Sequence, residues 1–314
     1  MGGRPPIVRW MVSDPRSRST AQALAFGFAG IALFSGLDAV IKQLSLTEHT
    51  FVVTFGRYLC ALPFALLIWQ RAGRPKITRD MWRAHALRGA VMAGTASLFF
   101  WALSVVPLAE AITLSFIAPL IVPFFAAAML GERLRAANVM ASVAGFAGAV
   151  VAIFGDGHAG APPGGDPELY QLGVLALLVF SVGYALTVVL LRARASQDGS
   201  AIVGVLATLI PGLIVAGPAI AFGEAPTVAS LPLFVFVGAL GAVSMWTLTE
   251  AYARAQAQTL APLEFTALLW AAAFGYAYFD EVPSPALWAG AAIIIGACLW
   301  SGWVSRRAEE AGTV

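Results

Sequence analysis

Ala102 to Glu132, "ALSVVPLAEAITLSFIAPLIVPFFAAAMLGE", lies without a gap over Ala251 to Glu281, "AYARAQAQTLAPLEFTALLWAAAFGYAYFDE", when the chain is slid by 149 positions. About eight of some thirty positions agree, among them Leu114 with Leu263, Phe116 with Phe265, Leu120 with Leu269 and Glu132 with Glu281. Ala- and Leu-rich helices share residues by chance, so the order of the surrounding elements matters more than the identities. A shift of 146 lays Phe34 and Ser35 over Phe180 and Ser181 in the same way. The chain therefore reads as a duplicated unit.

Each copy holds five apolar runs. A bilayer span needs roughly 20 mainly apolar residues, and ten runs of that kind fall at about 24–44, 51–70, 86–106, 108–130, 137–155, 169–192, 201–222, 231–253, 258–279 and 284–304. They are unbroken in Ala, Leu, Val and Phe and do not alternate, which argues for helices and against a β-barrel. With 59% hydrophobic and 11% charged residues and a mean hydropathy of +0.81, the composition is that of an integral membrane protein. The expected fold class is an all-α integral membrane protein, ten transmembrane helices forming two inverted five-helix repeats, because an odd number of spans turns the second copy over. The expected division is a tail at 1–23, a first repeat at 24–155, a Gly/Pro-rich linker at 156–168, a second repeat at 169–305 and a tail at 306–314. The first run is too long for the core of a secretory signal and lacks a small-residue cleavage site, so it reads as a retained span.

Charge gives the orientation. Arg4, Arg9, Arg16 and Arg18 precede the first run and hold the N-terminus in the cytoplasm by the positive-inside rule. Alternate loops are then basic, carrying Arg71, Arg74, Lys76, Arg79, Arg83 and Arg88, then Arg133 and Arg135, Arg192 and Arg194, Arg254, and Arg306 and Arg307. The opposite loops, "LTEHT", "GDGHAGAPPGGDPELY", "FGEAPTVAS" and "FDEVPSP", hold no Lys or Arg. Both termini are expected to be cytoplasmic, in a bacterial-type inner membrane. The net charge of +2 reflects topology rather than a nucleic-acid partner.

The motifs "PLAEA…LSFIAPL…GE" and "TLAPLEFTALLWAAAFGYAYFDE", in two inverted sets of five spans, resemble the EamA branch of the drug/metabolite transporter superfamily, over about residues 24 to 305. The resemblance implies a transporter of a small organic metabolite, such as an amino acid, a flavin or a nucleoside-like compound. "FSGLDAVIK" and "PLAEAITLSFIAPL" are most similar to uptake-type members for riboflavin or S-adenosylmethionine. Inverted repeats let two half-structures exchange conformations around a central site, which is the plan for alternating access.

Charges inside spans mark the candidate site, since an acid or base at the bilayer centre costs about 2.5 to 3.5 kcal/mol on insertion scales. Asp38 and Lys42 are four apart and share a helix face, where they can pair. Arg57 enters the next span at a depth similar to that of Asp38, so the three are expected to form one polar cluster facing the bundle interior, with Arg57 as the partner of Asp38. Lys42 can equally snorkel to the interface, and a structural ion pair that touches no substrate is the alternative for the other two. Glu110 either joins the cluster or sits favourably at a helix N-terminus. Glu264 follows Pro262 in an apolar run and is expected to face a cavity, while Glu250 and Arg254 can pair at the membrane edge. Pro119, Pro123 and Pro262 remove amide donors, either kinking helices or lining a substrate path.

Trp101, Trp246, Trp270, Phe265 and Tyr184 fall near mid-span, where they can stack on a planar substrate or merely pack. Tyr184 occupies the position of Asp38 in the second copy. Trp69, Trp82, Trp288, Trp300 and Trp303 read as an interfacial belt. The small-residue pairs Ala141/Gly145, Ala144/Gly148 and Ala292/Gly296 permit close helix contact, within the chain or in a homodimer.

Other classes are disfavoured. No cofactor is expected, and no His/Cys cluster has ligand spacing for a metal. None of His49, His85 and His158 lies deep in a run, and Cys60 and Cys298 imply no disulfide framework. A serine elbow, a His/Glu zinc motif and a phosphate-cradling loop are all missing from the sequence, which speaks against a membrane-embedded enzyme and against nucleotide-driven pumping. A passive channel remains as the other alternative, and a coupling proton is compatible with Asp38 or Glu264.

Overall fold

The computed structural model describes residues 15–130, 140, 143–148, 150, 151, 155, 165–254 and 266–310. The expectations that rest on Glu132, Pro262, Glu264, Phe265, most of the fifth run and the 156–164 linker lie outside these residues. Among the described residues the regular structure is helical throughout: α1 Pro15–Ser45, α2 Thr50–Arg71, α3 Arg79–Val105, α4 Leu108–Ser115, α5 Ile117–Leu130, α6 Pro167–Asp198, α7 Ser200–Phe222, α8 Leu231–Arg254, α9 Thr266–Phe279 and α10 Pro285–Glu310. A single 3-10 turn, Val228–Ser230, precedes α8.

Local sequence sets the helix ends. Thr78 accepts the Met81 amide at 3.3 Å and starts α3 at Arg79, seven residues ahead of the third apolar run. Asp166 accepts the Glu168 and Leu169 amides before Pro167 in α6. His49 accepts the Phe51 amide at the head of α2. Gly199, at φ 76°, turns the chain between α6 and α7, a conformation other residues rarely adopt.

Among the described residues, seven helical segments are long and apolar enough to cross a membrane: Gln22–Ser45, Thr50–Arg71, Arg79–Val105, Leu108–Met129, Pro167–Leu191, Ser200–Phe222 and Val228–Ala251. Thr266–Phe279 and Pro285–Ala297 are apolar but shorter. Leu59, Leu175, Leu213, Ile220 and Phe236 stand exposed on the outer faces, an arrangement water would penalise and lipid accepts. The molecule is an all-helical, multi-pass membrane protein.

α1 packs chiefly on α8, α3 on α6, and α2 on both α7 and α8. One end of the bundle carries the 46–49 turn and the 223–230 segment, and the other carries the 72–78 loop. Leu37, Ile41, Leu44, Val53, Leu103 and Leu108 fill the half nearer the 46–49 end and are essentially inaccessible. Small residues bring backbones together elsewhere. A Cβ at Gly238 would collide with the backbone of Cys60, so α2 and α8 touch main chain to main chain there. Gly148 sits against Gly290 and Ile294, so the Ala144/Gly148 pair packs inside the chain, whereas Gly296 faces open space.

Glu48 ties the 46–49 turn to the 223–230 segment. Its Oε1 accepts the Thr227 amide at 3.1 Å, the Thr227 hydroxyl at 2.8 Å and the Ser230 hydroxyl at 2.6 Å. Burial pushes its pKa up, but the Ser230 and Thr227 hydrogen bonds outweigh it and hold the carboxyl below its ordinary 4.5. A depressed folded value means that the contribution to stability is complete above about pH 4.5 and is lost as the pH falls below it.

Three outcomes follow for stability. Gly238→Val should destabilise by about 1 to 3 kcal/mol, because a helix backbone cannot step aside, whereas Gly204→Ala, with nothing within 4 Å, should leave the melting temperature unchanged or raised. Melting followed against pH should fall less steeply below pH 4.5 in Glu48→Gln than in the unmodified protein.

Candidate functional site

A cavity of about 240 Å³ opens inside the bundle between α1, α2, α3, α4, α6 and α8. Its lining runs from Asp38, Arg57, Phe100 and Ile112, near the packed half, to Arg88, Val188 and Leu191, towards the 72–78 end. Asp38, Arg57 and Arg88 are the charged side chains on its described wall, and Phe99, Phe180 and Tyr184 are neighbouring aromatic residues among those that line it. Phe180 stacks on Phe99 at 4.6 Å and on Tyr184 at 5.5 Å between ring centroids. The three rings form a continuous slab at membrane depth.

The helix break at Phe116 shapes one wall. Pro119 has no amide to offer the Ser115 carbonyl and its ring crowds that carbonyl, so α4 stops at Ser115 and α5 starts at Ile117. The Phe116 amide turns to the Thr113 carbonyl instead, at 3.2 Å. Ser115, Phe116 and Pro119 all border the cavity, where irregular backbone is covered by protein rather than by lipid. Pro123 lies within α5.

The expected cluster of Asp38, Lys42 and Arg57 divides in two. Asp38 and Arg57 both border the cavity within electrostatic reach of each other, yet no salt bridge joins them within 4 Å. The Arg57 guanidinium lies instead over the Tyr58 ring at 4.8 Å and the Phe100 ring at 5.5 Å, and its Nε has no hydrogen-bond partner. Lys42 neither pairs with Asp38 nor snorkels. It is buried, and its Nζ lies 2.7 Å from Glu281 Oε1 while donating to the carbonyls of Val106 at 2.9 Å and Leu103 at 3.3 Å. One helical turn carries Lys42 about 6 Å along the axis, past the cavity lining and towards the end of α3, where unpaired carbonyls await a donor.

Glu281 reaches Lys42 through a backbone device. Asp280 adopts φ 54° and the Glu281 amide bonds to the Gly275 carbonyl at 3.1 Å, a left-handed helix termination that folds the carboxylate back over α9. Its Oε2 then accepts the Leu108 amide at 2.8 Å, capping α4, whose preceding Pro107 has no side chain for that purpose. Glu110 stands in electrostatic reach of Lys42 and Glu281 and accepts the Tyr170 hydroxyl at 3.0 Å. It therefore joins the Lys42 group and leaves the cap to Glu281. This second cluster lies one helical turn past Asp38 along α1, towards the 46–49 turn.

The aromatic expectations separate similarly. Tyr184 borders the cavity. Trp246 packs edge-on against Phe26 at 5.9 Å, Trp270 lies beside Phe28 and Phe274, and Trp101 packs on the core, so these three are absent from the described wall. Arg88, counted from the sequence among the loop charges, is 3% exposed inside the bundle. His85 is buried too, its Nε2 3.0 Å from Asp198 Oδ2, and Arg194 bridges Asp198 to Asp80 at 3.0 and 2.7 Å. Thr78 is the signal that could have found both, since a helix started there carries His85 and Arg88 into the third span.

Comparison with known proteins identifies the chain. The EamA-like transporter family matches residues 21–154 and again 171–303. The chain belongs to that family. The riboflavin transporter of Rhizobium johnstonii is 33% identical over 290 residues, 90% of this chain and 91% of its own. An S-adenosylmethionine uptake transporter of Rickettsia bellii is 23% identical over 87% of this chain and 91% of its own. A protein of known crystal structure superposes with a TM-score of 0.66 at 25% identity, over 92% of this chain and 99% of that one. Membership in a family of transporters sets aside the enzyme alternative, and the chain is a membrane transporter of small metabolites.

The Lys42–Glu281 pair can be tested directly. Glu281→Gln leaves the ammonium with carbonyls alone and should lower unfolding stability by about 3 kcal/mol, and adding Lys42→Met should recover part of that loss in chemical unfolding of the detergent-solubilised protein.

Proposed function

We propose that the protein is a secondary transporter that carries a small organic metabolite with a planar ring, a flavin or nucleoside-like compound foremost, by alternating access around the described cavity. The observation that carries this reading is the slab of Phe99, Phe180 and Tyr184 beside charged groups at membrane depth, with the Lys42–Glu281 pair one helical turn beyond Asp38. A planar ring gains about 0.5 to 1.5 kcal/mol from each stacked aromatic beyond its buried area. The relatives named for riboflavin and S-adenosylmethionine both handle compounds with flat heteroaromatic rings, which favours the same class here.

The two successive family matches support an arrangement of ten spans as two inverted repeats, in the inner membrane of a bacterium with both termini cytoplasmic. In that orientation the 72–78 end is the inner one, and the cavity is inward-facing with its outer seal shut. Opening that seal requires separating Lys42 from Glu281 and from the carbonyls of Leu103 and Val106, while the 72–78 end closes.

Reconstituted protein should move riboflavin, S-adenosylmethionine or a nucleoside saturably across vesicles. Tyr184→Ala should raise the half-saturating concentration about two- to tenfold, and Asp38→Asn should reduce flux. A panel of such metabolites that never crosses overturns the transport reading, and unsaturating current would favour a channel. For alternating access, a cysteine at Thr95, in a chain with Cys60 and Cys298 replaced by Ala, should react with an impermeant thiol reagent from the 72–78 side. Glu281→Gln should add reactivity from the 46–49 side, and unchanged one-sided labelling would count against the seal.

A further inference from the structure

The charge on the described cavity wall does not balance. Asp38 lies within electrostatic reach of Arg57, which leaves Arg88 as the cation with no acid beside it among the described residues. Arg88 is 3% exposed, and its Nε and Nη1 have no hydrogen-bond partner. Its remaining nitrogen, Nη2, reaches only the Met245 sulfur at 4.0 Å, a weak acceptor. Guanidinium groups are not kept this way in a protein interior unless something completes them, because an unpaired charge in low dielectric is far costlier than a paired one. Lys42 and His85 show the contrast, since Lys42 has a carboxylate and two carbonyls and His85 has Asp198, while the buried Arg57, whose Nε is also unpartnered, has Asp38 in electrostatic reach and the Tyr58 and Phe100 rings against its guanidinium.

Three candidates for completing Arg88 can be compared. A tyrosine hydroxyl is at hand, since Tyr58 and Tyr184 are within electrostatic reach, but neither makes a hydrogen bond to the guanidinium. Water can solvate it, yet water leaves the net charge in place. An oxyacid anion satisfies both requirements, because carboxylate and phosphate oxygens match the planar fork of the guanidinium and cancel its charge. Arg88 shares the cavity with the aromatic slab, so a ligand reaching both must present a flat ring and an acid group on one molecule.

Resting on the transport reading above, we propose that the carried compound bears an anionic oxyacid group, carboxylate or phosphate, bound by Arg88 while its ring stacks on Phe180 and Tyr184. Asp38 enforces the orientation, since it repels the acid end and accepts a donor from the opposite end. The ring alone does not suffice, so a neutral flavin or nucleoside binds more weakly than an acidic compound of the same ring.

The test uses ring-matched pairs: riboflavin against riboflavin 5′-phosphate, nicotinamide against nicotinate, and adenosine against adenosine 5′-monophosphate, with benzoate and inorganic phosphate as minimal anions. Binding is read as the thermal shift and dissociation constant of the detergent-purified full chain. At least one anionic member should bind ten or more times tighter than its neutral twin, Arg88→Gln should erase that preference, and Arg88→Lys should retain part of it. Preference for phosphate pairs or for nicotinate would distinguish the two oxyacid sources. Because Arg88→Gln can fail to fold, the unmodified protein is also treated with an arginine-selective dicarbonyl. An anionic probe should protect Arg88 from modification, measured by peptide mass, where its neutral twin does not. Neutral members binding as tightly as anions, an anion preference that survives Arg88→Gln, or no anion binding at all would each overturn the proposal. The first two outcomes leave transport intact, whereas an anion that binds through Arg88 but no compound that crosses vesicles would overturn the transport reading and leave this site standing.

Discussion

The Glu281 carboxylate holds the Lys42 ammonium on one oxygen and the first amide of α4 on the other, at 2.7 and 2.8 Å. Without water to solvate them, a buried ammonium, the last carbonyls of α3 and the first amide of α4 must find one another. That requirement fixes four chain segments at a single point: α1 through Lys42, the end of α3 through Leu103 and Val106, the start of α4 through Leu108, and the turn after α9 through Asp280. The apolar packing of Leu44, Leu103 and Leu108 surrounds this point, so one half of the bundle is solid. The hollow half follows, because the helices held together at one end have room to part towards the other.

The wall of that hollow owes its shape to a second backbone constraint. A continuous helix from Leu108 to Leu130 would require an amide at position 119, where the chain has proline. The break turns Ser115, Phe116 and Pro119 onto the cavity, and the buried Ser181 hydroxyl, bonded to the Leu114 and Leu177 carbonyls, fastens α4 to α6 beside it. Polar backbone is thus concentrated where a hydrated or occupied space can receive it, and the lipid-facing surface is left to Leu, Ile and Phe.

Helical class and the positions of seven of the ten expected spans were legible because hydropathy and helix periodicity report depth and face directly, and Asp38, Arg57 and Tyr184, singled out on the same grounds, border the cavity. Pairing was not legible. Arg57 was the expected partner of Asp38, with Lys42 either pairing at i+4 or snorkelling, yet Glu281, far along the chain, claims Lys42 through a left-handed residue whose conformation no local pattern announces. Arg88 looked like an orienting loop charge because the apolar run begins near residue 86. Helix α3, capped at Thr78, starts earlier and carries it inside. A rule that counts cations by loop has no means of separating one that stays at the interface from one that the helix draws into the bundle. The tryptophans failed for a related reason, since mid-span depth is shared by the cavity wall and by helix contacts such as Trp246 on Phe26.

The cavity combines a matched scaffold with unmatched chemistry. Phe34 and Asp38 on α1 and their counterparts Phe180 and Tyr184 on α6, related by the same shift of 146, all border it. The α1 and α6 faces thus both border the space, with an acid on one and a phenol on the other. Two identical faces would hold a ligand equally well either way round. Replacing one acid by an aromatic gives the space a charged side and a flat side, and the unpaired guanidinium of Arg88 adds a third distinct corner. A compound with different ends would meet different partners in its two orientations, so chemically distinct sides of one cavity are a physical basis for discrimination.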